Sequence, residues 1–350
     1  MKKIIAAIVA VMLVLLGLLW FLQGADILHI WPILCFAGCE YISDGSWVWE
    51  IVGFFSFALG IAVLTASQIP LTTPSAILRR IRDWPLGAAE TAVIATPTFY
   101  FLLVFALSIP FYLLGISGAR MPGLSFLPAS SVMTFVPMIA AMILIYRQLG
   151  INGVNALARR AFDFNRTINA RWILMALLFV PFVCSLELVI LRSIGVPLPS
   201  PQIAPSAASL AFIAFFIGAI GEELGWQGYA YPALRKKHSA LAAAVVLGVI
   251  WALWHLIPYA QMGHDTIWIF WHLLCTVALR ILIVSLYENT NQSVFIAVLF
   301  HTMLNLSWVL FPTSSAYYHP LVTFWILAVA VGLNVFIYGP KTLKQTASSA

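Results

Sequence analysis

Ala211-Phe212-Ile213-Ala214-Phe215-Phe216-Ile217-Gly218-Ala219-Ile220-Gly221-Glu222-Glu223-Leu224-Gly225-Trp226-Gln227-Gly228 is the stretch on which the reading of this chain turns. It is apolar or small up to Gly221, and then carries two adjacent carboxyls before the apolar character resumes. A helix rising about 1.5 Å per residue needs about 20 such residues to cross about 30 Å of hydrocarbon. A charge at the middle of such a span costs roughly 2.5–3.5 kcal/mol on insertion scales. Two carboxyls kept there need partners, and they mark a place where the chain does more than anchor itself.

The rest of the chain has the same character. Of its 350 residues, 62% are hydrophobic and 9% charged, with a mean hydropathy of +0.99. Soluble domains carry about a quarter charged residues, so a soluble fold is excluded and the solvent is a lipid bilayer. The net charge of +6 is therefore no sign of nucleic acid. Apolar runs near 4–22, 47–65, 92–115, 129–147, 172–192, 207–230, 240–260, 267–287, 293–311 and 321–338 predict an all-α, polytopic bundle of about ten spanning helices.

The basic residues alternate with these runs. With the N-terminus inside, the inner segments hold Lys2, Lys3, Arg79, Arg80, Arg82, Arg147, Arg159, Arg160, Arg166, Arg171, Arg235, Lys236, Lys237, Lys341 and Lys344. The outer side keeps Arg120 and Arg192, and Arg280 falls within a span. Retention of Lys and Arg on the cytoplasmic side predicts both termini in the cytoplasm. The run after Met1-Lys2-Lys3 is longer than a signal-peptide core and reads as an uncleaved anchor. Residues 148–171 read as an amphipathic cytoplasmic segment near the headgroups, and the prolines of 197–205 as a stiff outer connection. Cys35 and Cys39 fit either an outer disulfide or two free thiols; Cys184 and Cys275 read as inert core residues.

The ionisable residues within spans are Glu187, Glu222, Glu223, His255, His272, Arg280 and His301. Gly218, Gly221, Gly225 and Gly228 share one helical stripe, where small residues admit a neighbouring backbone. Two adjacent carboxyls in a low dielectric resist joint ionisation, so either one is protonated or both have donors. Trp251 lies one turn before His255. His301 and Asn305 lie four apart and point the same way. A carboxylate pair, an imidazole and an imidazole–amide pair suit activation of water and stabilisation of an oxyanion. The same residues also suit a proton relay in a transporter, or interhelical pairing. His272 reads as structural, and Arg280 either pairs with Glu187 or snorkels.

These motifs resemble the CPBP intramembrane proteases, the ABI or CAAX-protease-like family that includes the Ras-converting CAAX prenyl endopeptidase. Glu222-Glu223-Leu224-Gly225-Trp226-Gln227-Gly228 resembles the family's Glu-Glu-x-Gly-Trp-Arg-Gly. Trp251 and His255 match its aromatic residue four before a histidine, and His301 and Asn305 its His-x-x-x-Asn. Leu286-Tyr287-Glu288-Asn289-Thr290 and Ser293 resemble the loop before that last helix. The likeness spans about 207–311, within a protease core of 170–340 that follows additional N-terminal helices over 1–150.

The resemblance implies an intramembrane endopeptidase acting on a membrane-associated protein or peptide; the basic Met1-Lys2-Lys3 start and short loops point to a multi-pass protein of a bacterial inner membrane. Its catalytic residues would be Glu222, Glu223, His255, His301 and Asn305, supported by Gln227 and Trp251. Gln227 stands where the family commonly has Arg, and is expected to hold Glu223 by a hydrogen bond without charge. That departure leaves open a non-catalytic relative, such as a bacteriocin self-immunity or scaffolding protein. No metal is expected. The zinc alternative uses Glu222, His255 and His301 as three ligands with one open position.

Overall fold

The computed structural model describes residues 97–121, 124–164, 168–198, 205–311 and 319–345, with isolated positions between 13 and 56. The predicted spans at 4–22 and 47–65, and Cys35 and Cys39, lie outside the described residues. The chain divides into two compact units, residues 1–83 with 110–131 and residues 84–109 with 132–350. The described part of the first holds the end of helix α1 (Pro97–Ile116) and a short antiparallel hairpin, β1 (Arg120–Met121) and β2 (Leu124–Pro128). The second unit has helices and no strand among its described residues, and it carries the site.

After a 3-10 turn (Ala129–Phe135) come α2 (Val136–Arg159), α3 (Ala170–Ser193) and α4 (Pro205–Gly225). A π-helical turn, Trp226–Ala230, joins α4 to the short α5 (Tyr231–Arg235). Then follow α6 (Ala240–Gln261), α7 (Thr266–Asn289), α8 (Val294–Leu310) and α9 (Pro320–Tyr338). Seven described helices are long and apolar enough to cross a membrane, and α8 is a shorter apolar one. Their outward faces are apolar, as with Leu102, Phe182, Trp325 and Phe336. The core lies among α3, α7, α8 and α9, around Trp172, Val183, Leu282 and Phe300.

Side-chain oxygens of Asn169, Ser239, Asp265 and Ser293 accept from the first free N–H groups of α3, α6, α7 and α8, the usual reason a helix starts where it does. The start of α8 is held more firmly still. Asp163 accepts from Ser293 Oγ (2.7 Å), Val294 N (3.0 Å) and Phe295 N (3.0 Å), a carboxylate at the positive end of a helix dipole.

Residues 151–162 bury one face, at Gly153, Leu157 and Ala161, and expose Asn155, Arg159 and Phe162, the one-sided pattern of an amphipathic helix. Gly150 breaks α2 with φ 62° and ψ −157°, a conformation open to glycine and costly for any side chain. Beyond it the chain turns inward: Leu157 and Ala161 are buried. Arg160 donates to Gly228 O (3.0 Å), Tyr287 Oη (2.7 Å) and Gln292 O (2.9 Å). One guanidinium thus ties this segment to the π turn, to α7 and to the loop before α8.

The glycine stripe does what its spacing implies. A Cβ at Gly221 would lie 2.7 Å from the Thr134 carbonyl oxygen, and one at Gly225 would strike Pro137 and Tyr100. The backbone of 134–137 therefore runs against α4, which brings the Thr134 hydroxyl to Gly218 O (3.0 Å) and Glu222 Oε1 (3.2 Å). Gly221→Val is expected to lower stability in detergent by about 1–3 kcal/mol, the usual cost of overpacking. Gly332→Ala, with open space around it, is expected to leave the melting temperature of the purified protein unchanged.

Candidate active site

The second unit brings α4, α6, α7 and α8 together around two carboxyls. Glu222 and Glu223 are 5% and 0% exposed, and every carboxyl oxygen has a donor near it. Glu222 Oε2 accepts from Trp251 Nε1 (2.7 Å), and Oε1 from Thr134. Glu223 Oε2 accepts from Arg280 Nη1 (2.7 Å), and Oε1 lies 2.7 Å from His301 Nδ1. Of the two ways to keep adjacent buried carboxyls, the chain uses donors for both.

Trp251 is the hub. Its indole N–H holds Glu222, and its ring meets His255 and His301 edge-on at 5.5 and 5.2 Å. The guanidinium carbon of Arg280 lies over that ring at 4.1 Å, a cation–π contact in a dry interior. His255 Nδ1 lies 2.9 Å from the Trp251 carbonyl oxygen. A carbonyl only accepts, so the proton sits on Nδ1 and the lone pair on Nε2. His301 turns its other nitrogen, Nε2, to within 4.0 Å of Glu222 Oε1. Asn305 is one turn along α8 from His301, half-buried.

Two expectations need correction. Gln227 does not hold Glu223: it is fully buried, and neither atom of its amide has a hydrogen-bond partner among the described residues. Gln227 falls in the π turn that begins after Gly225. Its i→i+5 register displaces side chains from the α-helical i,i+4 stacking that the expectation assumed. Nor does Arg280 pair with Glu187 or snorkel; it is 0% exposed and pairs with Glu223. Glu187 instead accepts from His319 N (2.9 Å) and Thr323 Oγ1 (2.6 Å), capping α9 from α3. His272 lies among rings, 4.7 Å from Trp268 and 5.2 Å from Trp308.

Sequence reasoning missed Thr134 and the site role of Arg280. A lone Arg in a span that also has a facing carboxylate pair was a signal; its partner depends on how α6 and α7 pack, which no local pattern states. Among the described residues no cluster of three or more His, Cys, Asp or Glu is arranged to hold a metal.

The fold and this buried cluster of acid, imidazole and guanidinium define a helical protein of the membrane-spanning class with an ionisable site inside its bundle. Residues 204–307 match the signature of the type II CAAX prenyl endopeptidase Rce1-like proteins. The chain is also 25% identical over 228 residues, 60% of its length and 83% of the relative's, to a CAAX prenyl protease 2 of Methanococcus maripaludis. Over this segment the chain is similar to the CPBP, or CAAX-protease-like, family.

Trp251→Phe keeps an aromatic face under Arg280 and removes the one N–H that Trp251 gives to Glu222. A hydrogen bond to a carboxylate contributes about 1.5–3 kcal/mol. Denaturation of the purified variant in detergent is expected to show a loss in that range.

Proposed function

We propose that the chain is an endopeptidase that hydrolyses peptide bonds of a membrane-associated protein or peptide, within or at the edge of the bilayer, without a metal. The observation that carries this reading is the approach of Glu222 Oε1 to His301 Nε2 at 4.0 Å, with Glu223 behind the imidazole. One water bridges such a gap with two ordinary hydrogen bonds of about 2.8 Å.

In the proposed mechanism Glu222 takes a proton from that water as its oxygen attacks the scissile carbonyl carbon. His255 Nε2, with its lone pair free, assists by accepting from the same water. The carbonyl π electrons move to oxygen. His301 Nε2–H and the Asn305 amide donate to the oxyanion, while Glu223 balances charge on the His301 ring. As the C–N bond breaks, Glu222 passes its proton to the leaving amine. The products are a new carboxylic acid and a new amine. The charge distribution of the loops supports a multi-pass membrane protein with cytoplasmic termini. The family includes CAAX prenyl proteases; the substrate proposed here is the broader class of membrane-tethered polypeptides.

Comparative membrane proteomics of cells making the wild-type protein or Glu222→Gln tests the reading. An uncut precursor is expected to accumulate in the Glu222→Gln and His255→Ala cells, with insertion of the variants unchanged. Identical fragment patterns in all three would exclude catalysis at this site and favour a non-catalytic family member.

Cleavage is also expected to survive a chelator. Loss on chelation and recovery with zinc would overturn the metal-free part.

A further inference from the structure

Arg280 is the least expected participant. A buried guanidinium–carboxylate pair is weak as a stabilising device, because desolvating both ions offsets most of their attraction, and well-packed apolar residues often do as well. Here the pair is also incompletely satisfied: Arg280 Nε and Nη2 lack partners among the described residues. A pair kept for stability alone would saturate those donors. Its placement also demands a special backbone. A Cβ at Gly248 on α6 would lie 3.1 Å from Val277 Cα and 3.2 Å from Arg280 Cβ. Only a missing side chain there lets α7 come close enough to carry residue 280 across to α4.

From that position Arg280 reaches both halves of the site. It bonds Glu223 directly, and Glu223 in turn orients His301 through Nδ1. It also covers Trp251, which holds Glu222. Meanwhile Gln227, four residues after Glu223, supplies neither charge nor hydrogen bond to it.

We propose that Arg280 is the positioning residue of this site: a cation delivered from α7 that takes over the task an arginine at position 227 would perform on Glu223, and through Glu223 fixes the proton and ring orientation of His301. Its bearing on catalysis rests on the proposed protease reading; its bearing on His301 does not.

The test is imidazole NMR of the full-length protein in detergent, labelled with 15N-histidine and assigned with a His301→Gln variant. In Arg280→Gln the His301 ring signals are expected to move, and in Arg280→Lys to return most of the way. Gln227→Leu is expected to leave them in place. Unmoved His301 signals in Arg280→Gln, or an equal displacement in Gln227→Leu, would overturn the proposal. If Arg280→Gln does not fold, Arg280→Met carries the comparison; His301 signals identical to wild type in that variant would then overturn the proposal. For the precursor found by proteomics, reconstituted in liposomes, Arg280→Gln is expected to lower kcat about 100-fold at a nearly unchanged KM. Failure of the wild type to cleave anything would sink the protease reading and leave the NMR result standing.

Discussion

Glu223 sits fully buried in an apolar helical core, and everything around it answers the need to give a carboxylate donors where water does not reach. Arg280 and His301 each give one, at 2.7 Å. These contacts require α7 and α8 to stand close to α4, and that closeness constrains the backbone. Gly221 and Gly225 let the 134–137 segment lie on α4, and Gly248 lets α7 lie on α6. Asp163 and Arg160 then hold the start of α8, the π turn and α7 from the segment after Gly150. The packing of small residues and the chemistry of the acid pair are one arrangement.

The two neighbouring carboxyls end in different surroundings. Glu223 faces a cation and an imidazole. Glu222 faces neutral donors, Trp251 and Thr134, and keeps one oxygen toward His301 Nε2. Adjacent in sequence, they meet different partners because a helix turns about 100° between successive residues.

Much of the fold was legible. Apolar length gave the described spanning helices to within a few residues, since hydrophobic runs of that size have few alternatives. Exceptions came where local pattern is silent. The helix after Gly150 reads as amphipathic, yet its burial depends on Arg160 finding acceptors on three other segments. At the site, Glu222, Glu223, Trp251, His255 and His301 were found from type and spacing, and the structure gathers them. The partner of Glu223 was misread because i,i+4 spacing assumes an unbroken α-helix, and the π turn at 226–230 breaks it. Arg280 was visible as a buried charge, but which carboxylate it meets is decided by the α6–α7 approach at Gly248.

A double-mutant cycle on unfolding free energy tests the central claim most directly, with Glu223→Gln combined in turn with Arg280→Met and with Gln227→Met. Residues in direct contact couple by about 0.5–3 kcal/mol, while independent ones add within about 0.3–0.5. The expected result is a coupling above about 1 kcal/mol between positions 223 and 280 and none between 223 and 227. Additivity at 223 and 280, with coupling at 223 and 227, would contradict it.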